Sequence, residues 1–321
     1  MNGKFSVASS PHWRHTFSLG AIQRLWLLAL APAAVVSVWI YGWQSLRVMG
    51  LTVFFSVILD AAVNRIIPSK DSTDNYSSVT LAILLAFMMP PDASWWLILV
   101  GCFIMIVAGK KLFGGLGAYP VHPAMLSFAM LLVSWPSRFD YTGSVLSLDW
   151  GTKMVEPLRL VKTLGSGAED AFLWQDLLLG RQVAGIGNGL VLYLLIGGLF
   201  LILIRRIPWQ IPLAFLVGHA FMAWVLDLVS PGEFGSPLFY LLSGGTVFAA
   251  FFLATEYTTS PVNPIPRLIY GFLGGLLLML IRAFSSYSDG VVFAILLINL
   301  CNPLLDRIRP KVYGVEVTGN A

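Results

Sequence analysis

The side chains best suited to chemistry stand in two short stretches. The first is Ala254-Thr255-Glu256-Tyr257-Thr258-Thr259-Ser260-Pro261, where a carboxylate closes an apolar run and meets hydroxyls, with Asn263, Pro264 and Pro266 just beyond. A carboxylate among hydroxyl and carbonyl oxygens suits a hard cation such as Na⁺, and it can also carry a proton. The second is Gly114-Gly115-Leu116-Gly117, followed by Ala118-Tyr119-Pro120-Val121-His122-Pro123. Glycines let a backbone approach a planar or phosphorylated ligand closely, and free N–H groups at the next helix start attract an anion. A tight re-entrant turn explains the same glycines without any ligand. Three more ionisable groups lie within apolar sequence. Asp60 has Arg65 five residues on as a ready partner. Asp227 reads as interfacial, and His219 as a helix–helix hydrogen bond. Lys110 and Lys111 read as anchors at a membrane edge.

These groups matter because of what surrounds them. Of 321 residues, 57% are hydrophobic and 11% charged, with a mean hydropathy of +0.79. A soluble domain carries about 25% charge. The composition excludes a disordered chain, a secreted disulfide scaffold and an ordinary cytosolic enzyme, and indicates lipid as the main solvent. Cys102 and Cys301 sit apart in apolar runs, so this chain by itself offers no disulfide framework, zinc site or iron–sulfur motif. The net charge of +4 is not read as affinity for nucleic acid, because the basic residues sort by membrane side. An ionisable group at membrane depth is costly and is therefore a site hypothesis.

Apolar runs at 25–42, 46–64, 78–90, 95–109, 122–135, 187–204, 211–228, 237–255, 268–281 and 290–305 predict an all-α polytopic membrane protein of ten transmembrane helices. The runs at 78–90 and 122–135 fall short of the ~20 residues of a full crossing. Both are bordered by proline, at Pro90 and Pro91 and at Pro120 and Pro123. Broken segments are tolerated only where protein or a cavity surrounds them, so they point to a binding site.

With a cytoplasmic N-terminus, the inner segments hold Lys4, Arg14, Arg24, Arg65, Lys70, Lys110, Lys111, Arg205, Arg206, Arg267, Arg307, Arg309 and Lys311, while the short outer loops hold only Arg47 and Arg282. The positive-inside rule then puts both termini inside. Five runs precede the long segment 137–186 and five follow, so an internal repeat must be inverted. Residues 77–91 echo 244–261, and 112–128 echo 283–299. The expected organisation is a cytoplasmic segment 1–24, a first five-helix repeat 25–136, an external loop 137–186, a second repeat 187–306 and a cytoplasmic tail 307–321.

Several ordered motifs carry a family resemblance. Ser10-Pro11-His12, SVTLAILLAFMMPPDASWW (78–96), KLFGGLGAYPVHPA (111–124), FFLATEYTTSP (251–261), RLIYGFLGG (267–275) and DGVVFAILLINLCNPLLD (289–306) make the chain resemble the D subunit of the Rnf electron-transport complex, itself similar to the B subunit of the Na⁺-translocating NADH:quinone reductase. The resemblance runs from about Ser10 to Gly314. It implies a ten-helix subunit of an ion-translocating oxidoreductase in a bacterial or archaeal cytoplasmic membrane. Its partners would be the A-, B-, C-, E- and G-type Rnf subunits and membrane lipid. It also implies a flavin, FMN joined through phosphate to a threonine in an Asp-x-x-Ser-Gly-Ala-Thr pattern of the external loop.

Here that pattern reads Lys162-Thr163-Leu164-Gly165-Ser166-Gly167-Ala168-Glu169. Ser166, Gly167 and Ala168 keep the Ser-Gly-Ala, but Glu169 occupies the acceptor position and no Asp precedes it. A carboxylate would give only a labile acyl phosphate, so no covalent FMN is expected. The family's Gly-Gly-Leu-Gly-x-Asn-x-Phe-Asn-Pro-Ala becomes a stretch with Tyr119 and His122 in place of both asparagines, and its Ala-Thr-Asp-Pro turn becomes Ala-Thr-Glu256-Tyr. The expected cofactor is a noncovalent flavin, riboflavin or FMN, at Gly114, Gly115, Gly117, Tyr119 and His122 or by Ser166, Gly167 and Ala168. Glu256, Asp60, Thr258 and Thr259 are the candidates for the ion path. The competing readings are a cofactor-free structural subunit of such a complex and a stand-alone solute channel or transporter.

Overall fold

The computed structural model describes residues 18–66, 76–139, 141 and 155–308. The Ser10-Pro11-His12 motif, Lys4, Arg14, Lys70, Arg309, Lys311, most of the tail and part of the 137–186 segment lie outside the described residues.

Helix α1 (Leu19–Tyr41) starts where the Ser18 hydroxyl accepts the N–H of Ala21. It turns at Gly42, whose φ of 60° favours glycine, into α2 (Trp43–Ile66). There follow α3 (Ser77–Met88), α4 (Trp95–Phe103) continuing as a π-helical segment Ile104–Lys111, and α5 (Pro123–Ser134). The chain after α5 then holds α6 (Pro157–Leu164), a 3₁₀ turn Ser166–Ala171 and α7 (Trp174–Leu178). The second half holds α8 (Val191–Leu203), α9 (Gln210–Val229), α10 (Pro237–Leu242), α11 (Thr246–Phe248) continuing as a π-helical segment Ala249–Leu253, α12 (Pro264–Phe284) and α13 (Val291–Leu305).

Helices α1, α2, α9 and α12 are long and apolar enough to cross a membrane, and α3, α5, α8 and α13 are shorter apolar helices. Among the described residues the architecture is all-helical, that of a multi-pass membrane protein. Trp39, Trp43, Trp95 and Trp135, on or beside the ends of α1, α2, α4 and α5, are exposed, as expected of rings that mark a membrane boundary.

The run 237–255 is not one continuous helix. It breaks at Ser243-Gly244-Gly245, with Gly244 at φ 61°. The break frees the Gly245 N–H to donate to Asp289 Oδ2 (2.8 Å) and the Thr246 hydroxyl to meet the carbonyls of Tyr240 (2.9 Å) and Ser243 (3.0 Å). At the other broken end, the carbonyls of Phe87 and Met89 are met by the N–H groups of Ile186, Gly187 and Asn188 at 3.0–3.1 Å. Exposed backbone in lipid must be satisfied by protein, and the segment before α8 does that for α3.

Helices α9 and α12 pack closely. A Cβ on Gly275 would stand 2.0 Å from the Phe215 carbonyl oxygen, and one on Gly218 would stand 2.2 Å from that of Phe272. Lipid chains are as apolar as leucine, so such backbone approach, rather than apolar burial, drives association. We expect Gly275→Ala to destabilise the protein by about 1–3 kcal/mol through overpacking. Gly50→Ala, which meets nothing within 4 Å, should be neutral when thermal unfolding is followed in detergent.

Candidate functional site

The two stretches singled out by chemistry meet. The π-helical segment of α11 ends at Leu253, and the chain turns through Glu256, a buried residue. Its Oε2 accepts the N–H groups of Thr258 (3.0 Å) and Thr259 (3.1 Å) and the Thr259 hydroxyl (3.3 Å). Its Oε1 accepts the hydroxyl of Tyr119 (2.9 Å), whose oxygen accepts in turn from Thr258 Oγ1 (3.2 Å). Tyr119 reaches this point from the loop between the Gly114–Gly117 stretch and α5, in which Gly114, Gly115 and Gly117 have φ of 93–104°. Charge-assisted bonds of this kind are the strong ones, and here they join both broken segments. His122, just before α5, is fully buried with no partner on either ring nitrogen.

Asp60 is not paired with Arg65. Its Oδ1 faces Lys111 Nζ at 3.2 Å and Lys110 Nζ at 3.5 Å. The lysines are therefore not edge anchors: both are buried, at 1% and 4% exposure. Lys110 also donates to Ser77 Oγ (2.8 Å) and Ser78 Oγ (2.9 Å) at the start of α3, and Lys111 to Asn64 Oδ1 (2.6 Å). Two cations on one carboxylate are tolerated because oxygens take up their remaining protons.

A comparable cluster closes the far side. Arg282, buried, meets Asp289 at 2.8 Å, Thr246 Oγ1 at 2.8 Å and the Tyr240 carbonyl at 3.1 Å. It also donates to His219 Nε2 (3.1 Å), which leaves Nδ1–H to donate to the Gly275 carbonyl (3.3 Å). His219 thus bridges α9 and α12. In the sequence Arg282 reads only as an outer-loop cation. The signal for its role lies in the 112–128 and 283–299 echo, which aligns Arg282 with Lys111.

The Ser166–Ala171 turn docks elsewhere, on the bend before α10. The Ser166 N–H donates to the Gly232 carbonyl (3.0 Å), and Glu169 Oε2 accepts the Ser236 N–H at 2.7 Å. Glu169 is thus committed to a structural contact at the position where the resemblance expects a flavin-bearing threonine. Lys162 of α6 donates to the carbonyls of Arg282 (2.7 Å), Tyr287 (3.1 Å) and Ser285.

Two cavities bear on the cofactor. The one bordered by Tyr119 and Glu256 holds about 10 Å³, about one water molecule. A flavin does not fit there. The other, about 740 Å³, opens between α5, α6 and the segment before α13 and is lined by Phe128, Tyr141, Lys162, Asn188, Tyr287 and Asp289 among others. Ligand pockets run from about 300 to 1,000 Å³, so a flavin-sized molecule fits. Asn188 lines it, and its Oδ1 is buried without a partner. Gly114, Gly115, Gly117 and His122 do not line this larger cavity, nor do Ser166, Gly167 and Ala168, although Thr163 does.

Broken apolar helices closed by buried ion pairs place the chain among polytopic membrane proteins. The chain belongs to the NQR2, RnfD, RnfE family, whose profile it matches over residues 6–314. It is 36% identical to the D subunit of an ion-translocating oxidoreductase complex of Alcanivorax borkumensis, over 96% of each chain. It is also 36% identical to the D subunit of the Na(+)-translocating ferredoxin:NAD(+) oxidoreductase complex of Acetobacterium woodii, over 97% of this chain and 95% of that one. The corresponding ion-translocating oxidoreductase subunit of Vibrio cholerae is 35% identical, over 97% and 99%.

Breaking a buried pair by removing one partner costs about 3–5 kcal/mol. Asp60→Asn, which strands two buried ammonium groups, is expected to lose that much, whereas Arg65→Ala at an exposed position should stay within about 0.5 kcal/mol. Thermal unfolding of the two variants in detergent separates these outcomes.

Proposed function

We propose that this chain is the D-type membrane subunit of an Rnf-type complex, in which electron flow between ferredoxin and NAD(H) drives Na⁺ or H⁺ across a bacterial or archaeal cytoplasmic membrane. The observation that carries the reading is its end-to-end similarity to the D subunits of such complexes. No complete active site belongs to this chain; partner subunits of the A, B, C, E and G types hold the iron–sulfur and nucleotide chemistry.

In this reading the ten apolar segments form two inverted five-helix repeats, with both termini in the cytoplasm and the 137–186 loop outside. Two features support it. The basic residues are sorted by side, and a buried cation stands at the start of a half-helix in each half of the chain, Lys110 by α3 and Arg282 by α11. The 740 Å³ cavity would hold a noncovalent flavin, which supplies one- and two-electron transfer when bound. Tyr141, Tyr287 and Phe128 would flank its ring, Asn188 Oδ1 would accept a ring N–H, and Lys162 would face its polar tail. Glu169 keeps the external loop docked and carries no flavin. Glu256 and Asp60 stand on the ion path, with Thr258 and Thr259 holding the Glu256 carboxylate in place.

The commitment of Glu169 to Ser236 also favours a second reading, a D-type subunit that anchors its partners and holds no flavin. Denatured protein should run without in-gel flavin fluorescence and show only its 35.2 kDa sequence mass in either case. Flavin released from the native complex, and lost with Asn188→Leu, would support the first reading; its absence would support the second. Glu256→Gln is expected to abolish ion movement coupled to ferredoxin:NAD⁺ electron transfer in membrane vesicles. Unchanged coupling would remove Glu256 from the path.

A further inference from the structure

The small cavity beside Glu256 is bordered by Gln23 and Trp26 of α1, Ser77, Thr80 and Leu81 of α3, and Tyr119. Two of these residues carry unpartnered polar atoms. Gln23 is 5% exposed and Trp26 3%. Gln23 Nε2 donates to the Tyr257 hydroxyl (2.8 Å), which leaves Oε1 as the unmatched end of the amide, and Trp26 Nε1–H has no acceptor. Trp26 is held in place by edge-on contact with Phe252, centroids 6.0 Å apart. Buried polar atoms of this kind are as a rule satisfied by protein or by ordered water, and a volume near 10 Å³ is the size of one water.

The hydrogen-bond directions around the cavity agree. Ser77 Oγ accepts from Lys110, so its own O–H is left to donate into the cavity it lines. A water there would accept from Ser77 and from Trp26 Nε1–H, and would donate to Gln23 Oε1 and to Glu256. Those are four bonds, within the two to four that buried waters make. A bare Na⁺ suits the cavity less well, because a hard cation takes several oxygen ligands and the indole N–H presents it with a positive edge.

We propose that this cavity is a single-water site that joins the Asp60–Lys110 pair to Glu256 and serves as a proton relay between them. The inference rests on the reading of Glu256 and Asp60 as ion-path residues and names the ion at this point as H⁺. In one passage, Lys110 ammonium gives a proton to Ser77 Oγ, the Ser77 hydroxyl proton passes to the water, and a water proton passes to the Glu256 carboxylate. Lys110 ends neutral, Glu256 ends as the acid, and serine and water are regenerated. Lys110 regains a proton from the cytoplasmic side, where Asp60 and Lys111 adjoin it.

The test uses the whole complex in vesicles, with ion movement driven by ferredoxin:NAD⁺ electron transfer. Ser77→Ala is expected to slow coupled proton movement at least tenfold, and Ser77→Thr, which keeps the hydroxyl, to restore it. Trp26→Phe, which keeps the ring packing and removes the water's donor, should lower the rate as well. A high-resolution map should show one density 2.7–3.2 Å from Trp26 Nε1 and Gln23 Oε1, the range of a hydrogen bond, and replacing K⁺ by Na⁺ should not change it. Normal transport in both Ser77→Ala and Trp26→Phe, beside a dead Glu256→Gln, overturns the relay and leaves the ion-path reading standing. Transport unaffected by Glu256→Gln overturns both. A density that appears only with Na⁺, with several oxygens closing around it, replaces the water with a cation and overturns the proposal.

Discussion

Everything in this fold follows from the rule that a polar group inside a membrane must find its partner within the protein. The chain breaks its helices at Met88–Pro91, at Ser243–Gly245 and after Leu253, and each break leaves backbone groups and helix ends to be met. Each is met differently. Backbone N–H groups of residues 186–188 close the first, Asp289 and Arg282 the second, and the Glu256 carboxylate the third. The sites with chemistry are the places where a break was closed with charge instead of backbone.

Two departures from the family pattern form one feature. By the resemblance, Tyr119 stands where the pattern has an asparagine, and Glu256, with its longer arm, where it has an aspartate. In the structure the longer carboxylate and the phenol meet at 2.9 Å. Taken singly, each substitution suggests a cofactor site losing its contacts. Taken together, they make one contact beside a cavity with room for about one water.

The sequence was legible where the physics is local. Apolar runs located the helices, proline and glycine marked the breaks, and Glu256 stood out as a carboxylate at the end of an apolar run. What was not legible depended on distant partners. Whether Lys110 reaches water or Asp60 is decided by a residue fifty positions away, and nothing adjacent to the lysine pair announces it. Asp60 had a nearer candidate in Arg65, which is exposed. The split at Ser243–Gly245 showed only through the echo of 77–91 in 244–261, because its compensating contacts come from Asp289 and Arg282 on later segments. The cavity fit for a large ligand is built by α5, α6 and the segment before α13, so no single motif spells it.

The π-helical segment that ends α4 has a further consequence. A π turn holds one residue more than an α turn, so Ile104–Lys111 carries a surplus position before its two lysines. Winding the same residues as an ordinary α-helix would instead rotate every later side chain by about 100°. Lys110 and Lys111 would leave Asp60 and turn toward lipid or the core. The spacing between the apolar run and the lysine pair is therefore itself a structural element, one that composition and hydropathy do not record.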